Sequence, residues 1–417
     1  MPEFLNLLPP KVALARFLEH VQIHLEAEQI DVKLAQGRVT NADIHAPHSL
    51  PSFPRSTVDG YAVIASDTHG ASDSLPVYMN LIGEVLMGRS ADFSLSLSEC
   101  GLIHTGGMLP QGADAVVMLE NTQGAHPREI EIYKAVAVGE NVIKVGEDVH
   151  EGEIVLPGGR MLRAPEIGGL LALGITKLEV TKQPKIAIIS SGDEVVPPGA
   201  DIGPGQVRDI NSYTLAALVD QVGAIPRNYG IIPDDADSLH AITSQALDEC
   251  DMVVITAGSS ASSRDLTAQV IDSLGEPGVI SHGVNVRPGK PTILAACKVK
   301  GSEFAKPVIG LPGNPVSALV IAFLFVEPII DFLHGLRIPR IRPLIKARIS
   351  VNLASQAGRE DWVPVKLIPN GDGYNADPIF GKSNLIFTLS RADGLLHIPP
   401  QMTGLNAGEL ADIMLLN

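Results

Sequence analysis

The 417-residue chain is short of three things. Cysteine is the first. Only Cys100, Cys250 and Cys297 occur, far apart and with no CxxC pair. That argues against a disulfide framework or a thiolate zinc site and fits a reducing cytosol. Positive charge is the second. Lys and Arg number 31 against 47 Asp and Glu, a net charge of −16, and no basic cluster stands out. A duplex-binding protein shows a basic stripe, so nucleic acid is not an expected partner. The third is a clean apolar run. The most membrane-like stretch, Ser317 to Leu336, is broken by Glu327, Pro328 and Asp331. Its uninterrupted part is too short to span a bilayer, so it reads as a buried helix with no membrane role. The first residues carry no basic region ahead of their apolar ones, and Pro9-Pro10 interrupts them. No secretory signal is read, and a cytoplasmic protein is expected.

What is present is length and turns. The chain is too long for one compact core, which predicts two to four domains. Glycine and proline are both frequent, so many turns are expected.

The most informative stretch is VIGLPGNPVSALV, Val308 to Val320. Val308 to Leu311 reads as a buried strand, Pro312 to Pro315 as a tight turn, and the rest as a helix. Asn314 sits at the N-cap and Pro315 at the first helical position, where a missing N–H costs nothing. Gly313 shapes the turn and Ser317 adds a hydroxyl one turn in. A helix start aimed beyond a strand end is an anion site in the making, although the same unit also occurs as plain structure.

Residues 11–32 read as an amphipathic helix from the spacing of their apolar residues. Strand and turn signals then run to about residue 145, and residues 146–182 add a short helix and a strand. From Lys185 the rhythm becomes alternating strand and helix: KIAIISS, a helix from Asn211, RNYGIIPDD, ADSLHAITSQALDE, DMVVITAGSS and RDLTAQVIDSLG. Such alternation predicts a doubly wound parallel sheet covered on both faces, with ligands beyond the carboxyl ends of its strands. Past Arg337 the strands return, in numbers that suit a small barrel or sandwich.

The strand ends carry the chemistry. Asp193 and Glu194 follow the first strand, Asp234 and Asp235 the second, and Asp265 lies in the helix after the third. Singly, each reads as a helix cap or a solvated loop charge. Gathered at one sheet edge, several suit Mg²⁺ bound together with phosphate, since Mg²⁺ takes one or two carboxylates plus substrate oxygens. The turn TAGSSASS, Thr256 to Ser263, offers small residues and hydroxyls where a ligand approaches backbone. Arg287 and Lys290 bracket Pro288-Gly289. They are either exposed turn charges or the cations for an oxyanion. Asp59 precedes Gly60 in what reads as an ordinary Asp-Gly turn.

Taken together, RSTVDGYAV, HTGGMLPQGADAVVMLE, VGEDV, SSGDEVVPPG, GQVRDIN, VNVRPGKP and GLPGNPVSALV resemble the successive signatures of the MoeA family, to which the E domain of gephyrin also belongs. The resemblance implies a molybdenum insertase that takes adenylylated molybdopterin and molybdate and releases AMP, with Mg²⁺. It implies a homodimer of four-domain chains. These are a helix and strand domain (1–49 plus 144–182), an inserted β-rich domain (50–143), an α/β molybdopterin-binding domain (183–336) and a C-terminal β-barrel (337–417). Carried over residue by residue, the acidic site positions are Asp59, Asp148, Glu194, Asp234 and Asp265. Glu194, Asp234 and Asp265 are the metal candidates. The substrate-binding positions are Thr105, Gly106, Ser190, Gly258, Ser259, Ser260, Arg287, Lys290, Gly313, Asn314 and Ser317. The family commonly reads SGGVSVG where this chain has TAGSSASS. A lysine of some members is replaced here by Gly283, next to His282. Other molybdenum cofactor biosynthesis proteins are possible partners in this reading. Its alternatives are a non-catalytic carrier or scaffold and a tungstate-specific insertase.

Overall fold

The computed structural model describes residues 7–257, 261–299, 301, 304–371 and 373–416. The chain forms two compact units. One takes the chain up to Asn41, Gly159–Arg163, and everything from Lys177 on; the other takes Ala42–Gly158 and Ala164–Thr176.

The centre of the first unit is a six-stranded sheet. Its strands are β1 (Lys185–Ser191), β2 (Ile225–Ile232), β3 (Met252–Ala257), β4 (Pro277–His282), β5 (Ile293–Lys298) and β6 (Ala305–Pro312), in the order β2-β1-β3-β6-β5-β4. The first four positions are parallel, while β6, β5 and β4 are antiparallel neighbours. Parallel strands need a crossover of a dozen residues or more. The helices α1 (Asn211–Gln221), α2 (Ala236–Glu249) and α3 (Ala261–Ser273) lie along the chain between the early strands. The stretch from β5 to β6 is far too short for one, so the sheet finishes antiparallel at that edge.

Both faces are covered, which is why the strands read as unbroken apolar runs. Ile186, Ile188, Val254 and Ile309 face α1 and the helix after β6, with Leu215, Ala318 and Phe325 in the same core. Ala187, Ile189, Val253 and Val308 face α2 and α3, with Leu239, Leu247 and Ile271. The helix after β6 runs Pro315–Leu333 with a π-helical stretch at Ala322–Val326. Its length and apolar composition would suffice to cross a membrane, but 67% of that window is buried inside the protein, as in a core helix. Its two acids are buried and paired: Glu327 with Arg342, and Asp331 with Arg340 at 2.8 Å.

The expected helix over 11–32 is shorter. It spans Pro10–Leu18, and Ala27–Asp31 is a strand paired antiparallel with Lys177–Thr181. Val21 is buried without being helical, and the Gln22 N–H goes to the Ala305 carbonyl. Apolar spacing counted such residues as one helical face; pairing with a strand about 150 residues away, invisible to local periodicity, decided otherwise.

The C-terminal strands β7 (Leu344–Ile349), β8 (Glu360–Asn370), β9 (Gly373–Pro378), β10 (Gly394–Ile398) and β11 (Leu410–Leu415) close into a five-stranded barrel, because β10 pairs with both β11 and β8. Its interior holds Ala347, Val365, Leu396 and Ile413. Val286–Arg287 adds to the barrel's edge, parallel to Glu360–Asp361.

The second unit is built on another six-stranded sheet. In spatial order its strands are Ala115–Met118, Gly60–Val63, Glu99–Ile103, Val77–Val85, Glu129–Ile132 and Thr122–His126. Alternating residues fill two cores, Val63, Val117 and Ile132 on one side and Ala62, Val116 and Ile103 on the other.

Candidate active site

Strands β1, β3 and β6 end side by side, and the last residues of β1 and β3 with the turn after β6 line a cavity of about 380 Å³. Ser190, Ser191, Glu194, Thr256, Gly313 and Asn314 all line it. Beneath it lies a buried hydroxyl chain, with Ser190 Oγ 2.8 Å from Ser212 Oγ and 3.2 Å from Thr256 Oγ1. The loop after β1 folds back over this edge. The Val207 N–H donates to Glu194 O and the Asp209 N–H to Val196 O, each at 2.8 Å. The Arg208 guanidinium pins the loop further, donating to Pro198 O at 2.7 Å and Ala200 O at 3.2 Å.

The carboxylates divide into site and scaffold. Glu194 is half-buried on the cavity wall. Asp234 is half-buried and accepts from Ser191 Oγ at 2.6 Å. Asp193 accepts the Asp234 N–H at 3.2 Å, and Asp235 caps α2 by accepting the Ser238 N–H at 2.8 Å. That cap bond holds the Asp235 carboxyl below the usual range. The helix-cap reading is therefore right for Asp235. Asp265 belongs to α3 by backbone, but its side chain, like Gly258, Ser259 and Ser260 of the Ser-rich turn, lies outside the described residues.

Arg287, Lys290 and Ser317 line a different, larger cavity of about 730 Å³, against the barrel. Among the described residues, Arg359 and Lys382 bring the cations on its wall to four and no acid lines it, and Trp362 adds an aromatic surface. Asn314 borders both cavities. Arg287 is not free: its Nη2 lies 2.6 Å from Asp361, which is fully buried and also takes Arg359 at 2.8 Å and Ser355 Oγ at 2.8 Å. The helix start behaves partly as expected. Asn314 has the extended backbone of an N-cap and its carbonyl accepts the Ala318 N–H at 2.9 Å, but its side chain makes no cap bond. The Val316 N–H is taken by Ser383 O at 3.0 Å. The positive charge of this wall comes from side-chain cations more than from backbone N–H groups. Gly283 has φ +97°, a conformation a side chain adopts only with strain.

In the second unit, Asp59 Oδ1 accepts the Thr105 N–H at 2.7 Å and its Oγ1–H at 3.1 Å. These bonds, and then His104, hold the exposed carboxyl below its ordinary range. His104 Nε2 in turn lies 2.9 Å from Glu84. Gly60 must be glycine, because a Cβ would sit 2.0 Å from Val117 O. Gly106, at φ +85°, donates to Ser56 O at 2.8 Å. Asp148 is exposed on another loop, its N–H on Leu50 O at 3.0 Å.

Among the described residues, no three His, Cys, Asp or Glu side chains converge as a ready metal site. Glu194 and Asp234 both belong to the neighbourhood of the Ser191-Gly192 turn, Glu194 on the cavity wall and Asp234 through its bond from Ser191 Oγ; two carboxylates are the number a Mg²⁺ commonly takes beside substrate oxygens. Sequence reasoning missed Asp209 and Asn211 on the smaller cavity and Arg359 with its partner Asp361 at the larger. The first two stand inside the quoted GQVRDIN; nothing in GREDW marks the others. A further cavity of 360 Å³ opens at the amino ends of β1 and β3, around Lys185 and Asp251, and holds none of the candidate residues.

Comparison with known proteins places these elements in sequence. Residues 8–174 match the MoeA N-terminal region (domain I and II), 187–331 a "Probable molybdopterin binding domain", and 346–416 the MoeA C-terminal region (domain IV). A molybdopterin molybdenumtransferase of Nostoc sp. is 32% identical, covering 94% of this chain and 88% of its own. Two solved structures of molybdopterin biosynthesis MoeA proteins from Pyrococcus horikoshii are similar throughout. One has a TM-score of 0.80 at 37% identity over 99% of this chain and 100% of its own. The other has 0.84 at 30% over 98% and 100%.

Proposed function

The chain belongs to the MoeA family, and on that premise we propose that its two adjoining cavities hold the two ends of one substrate. It is a transferase of molybdenum cofactor biosynthesis that inserts molybdenum into molybdopterin. In our reading the substrate is adenylylated molybdopterin, molybdate is the metal donor, and AMP is released. The smaller cavity, with its hydroxyls, amides and acids, takes the pterin end. The larger takes the oxyanion, with Arg287, Lys290, Arg359 and Ser317 as its polar wall. The observation that carries this division is the opposite charge of two cavities that share Asn314. A protein of net charge −16 has gathered four cations and no acid, among the described residues, on one wall.

Mg²⁺ bound through Glu194 and Asp234, with Asp265 a third candidate, would neutralise phosphate charge beside these acids. Ser191 orients Asp234 for that role. We further propose a cytoplasmic homodimer in which Asp59 of one copy, set by Thr105, serves the reaction centre of the other. Asp148, Gly106 and Gly313 are proposed to support the same substrate.

The test is AMP release from adenylylated molybdopterin on adding molybdate. Asp234→Asn should lower turnover on the order of a hundredfold, as loss of a metal-orienting group commonly does, without moving the molybdate midpoint. Chelator in excess should stop the parent enzyme and leave its circular dichroism unchanged. Mixed dimers of Asp59→Asn and Asp234→Asn chains should regain activity in one of their two sites. Verified heterodimers that stay inactive would remove the shared centre, and full turnover in chelator would remove the metal.

A further inference from the structure

We propose that Asp209 is the residue by which the smaller cavity reads the aminopyrimidinone edge of a pterin. The inference rests on the reading that the pterin end occupies this cavity, and it names the recognising group.

Asp209 lines the cavity yet is only 5% exposed. Its Oδ1 accepts the Ser212 N–H at 3.1 Å, and among the described residues no Lys, Arg or His pairs with it. An ionised carboxylate has about four acceptor positions, and burying one with few partners is costly. Among the described residues one cation lines the wall, Arg208, and it points its guanidinium at the carbonyls of Pro198 and Ala200 instead. The rest of the polar lining is hydroxyls and amides, such as Ser190, Thr256, Asn211, Asn314 and Asn384, with one further acid, Glu194. The position is also held firmly, by the Asp209 N–H to Val196 O at 2.8 Å and by the start of α1. A fixed acceptor in a pocket whose described wall has no spare cation calls for a neutral ligand with paired donors.

A pterin has that pair. Its 2-amino group and N3–H lie side by side and meet a carboxylate as the fork of an arginine does, through two parallel hydrogen bonds. The anionic parts of the substrate are then left to the Glu194 and Asp234 edge, where Mg²⁺ would offset their charge, and to the cationic cavity beyond Asn314. A pteridine with oxygen at position 2 would turn an acceptor toward Asp209 and lose one bond while gaining a repulsion. A hydrogen bond to a charged group contributes enough for about a tenfold to hundredfold preference.

The experiment measures binding of pterin and of lumazine, its 2-oxo counterpart, to the full chain by equilibrium dialysis. The parent should prefer pterin at least tenfold. Asp209→Asn keeps an acceptor for the Ser212 N–H, and asparagine caps helices as well as aspartate does, so the urea midpoint should hold. The preference should fall to threefold or less. A parent without preference, or Asp209→Asn that keeps it, overturns the proposal. Thr256→Met, which fills the cavity, separates the two levels. If pterin still binds that variant with parental affinity, the pterin lies elsewhere and the cavity reading fails with the proposal. If filling abolishes binding while Asp209→Asn still discriminates, the cavity stands and Asp209 alone is misassigned.

Discussion

The helix Pro315–Leu333 has a buried carboxylate held by arginine near each end, and the two arrangements do opposite work. Near its start, Asp361 is fully buried and grips Arg287, whose side chain is 52% exposed on a cavity wall. Toward its end, Glu327 grips Arg342, whose side chain is only 19% exposed and lies 4.5 Å over the Phe323 ring. The chemistry is one; the exposure of the cation differs. Where the guanidinium still faces open space it can exchange part of its attention for a ligand. Where it is packed, the pair only repairs the cost of putting an acid into an apolar helix. Burial pushes the Glu327 and Asp331 carboxyls up, against the opposing pull of Arg342 and Arg340. Folded-state pKa values raised in this way favour the fold at low pH and weaken it as pH rises through them.

The largest effect should come from breaking the packed pair. Arg342→Ala strands Glu327 in the core, and removing one partner of a buried pair typically costs about 3–5 kcal/mol. A urea melt should show that loss at neutral pH, with turnover per folded molecule unchanged. If activity falls while the midpoint holds, the two ends of the helix are not separable.

A second change sharpens the structural end. His334, just past the helix, is buried, and neither ring nitrogen makes a well-formed hydrogen bond among the described residues, a weak approach to the Val222 backbone aside. Burial first, then Arg340 and Arg38, lowers its pKa to about 4. An unfolded histidine near 6.5 binds its proton sooner, so stability is complete above that value and falls as pH drops toward 4. The span corresponds to about 3 kcal/mol, offset in part by the raised carboxyls of Glu327 and Asp331. In urea melts from pH 7 to 4, His334→Leu should lose less stability than the parent. Parallel pH curves would show that His334 is not the titrating group.

Much of this was legible in the sequence. The doubly wound domain announced itself because strands buried on both faces are continuous apolar runs, and the glycine turn at 312–315 marked a strand end that borders a cavity. Local pattern failed where distant pairing decided. The strand Ala27–Asp31 answers to Lys177–Thr181, and the antiparallel edge β6-β5-β4 follows from short connections. The site was legible by residue type and not by grouping. Nothing local says that Arg287 and Lys290 face a different cavity from Glu194, because Arg287 is set by pairing with Asp361, 74 positions along the chain. Glu327 and Asp331 read as interruptions of an apolar run, since their arginines lie beyond it.

The exposed end gives the most discriminating prediction, though a smaller one. Arg287→Ala should leave the fold intact. Asp361 keeps Arg359 and Ser355 after the change, so no carboxylate is stranded, in contrast to Glu327 without Arg342. What is lost is one half-exposed guanidinium on the cationic wall. Its two-pronged geometry suits an oxyanion, which Lys290 can meet only as a point charge. The loss should raise the molybdate concentration for half-maximal turnover about tenfold to hundredfold, at saturating pterin substrate. Turnover at saturating molybdate should fall much less, because the acids of the smaller cavity are untouched. Arg287→Lys should recover part of the molybdate affinity, as charge without the fork. A molybdate titration of the three proteins decides it. If the Arg287→Ala midpoint stays with the parent, this arginine is held for Asp361 alone, and the two ends of the helix are structural pairs of the same kind.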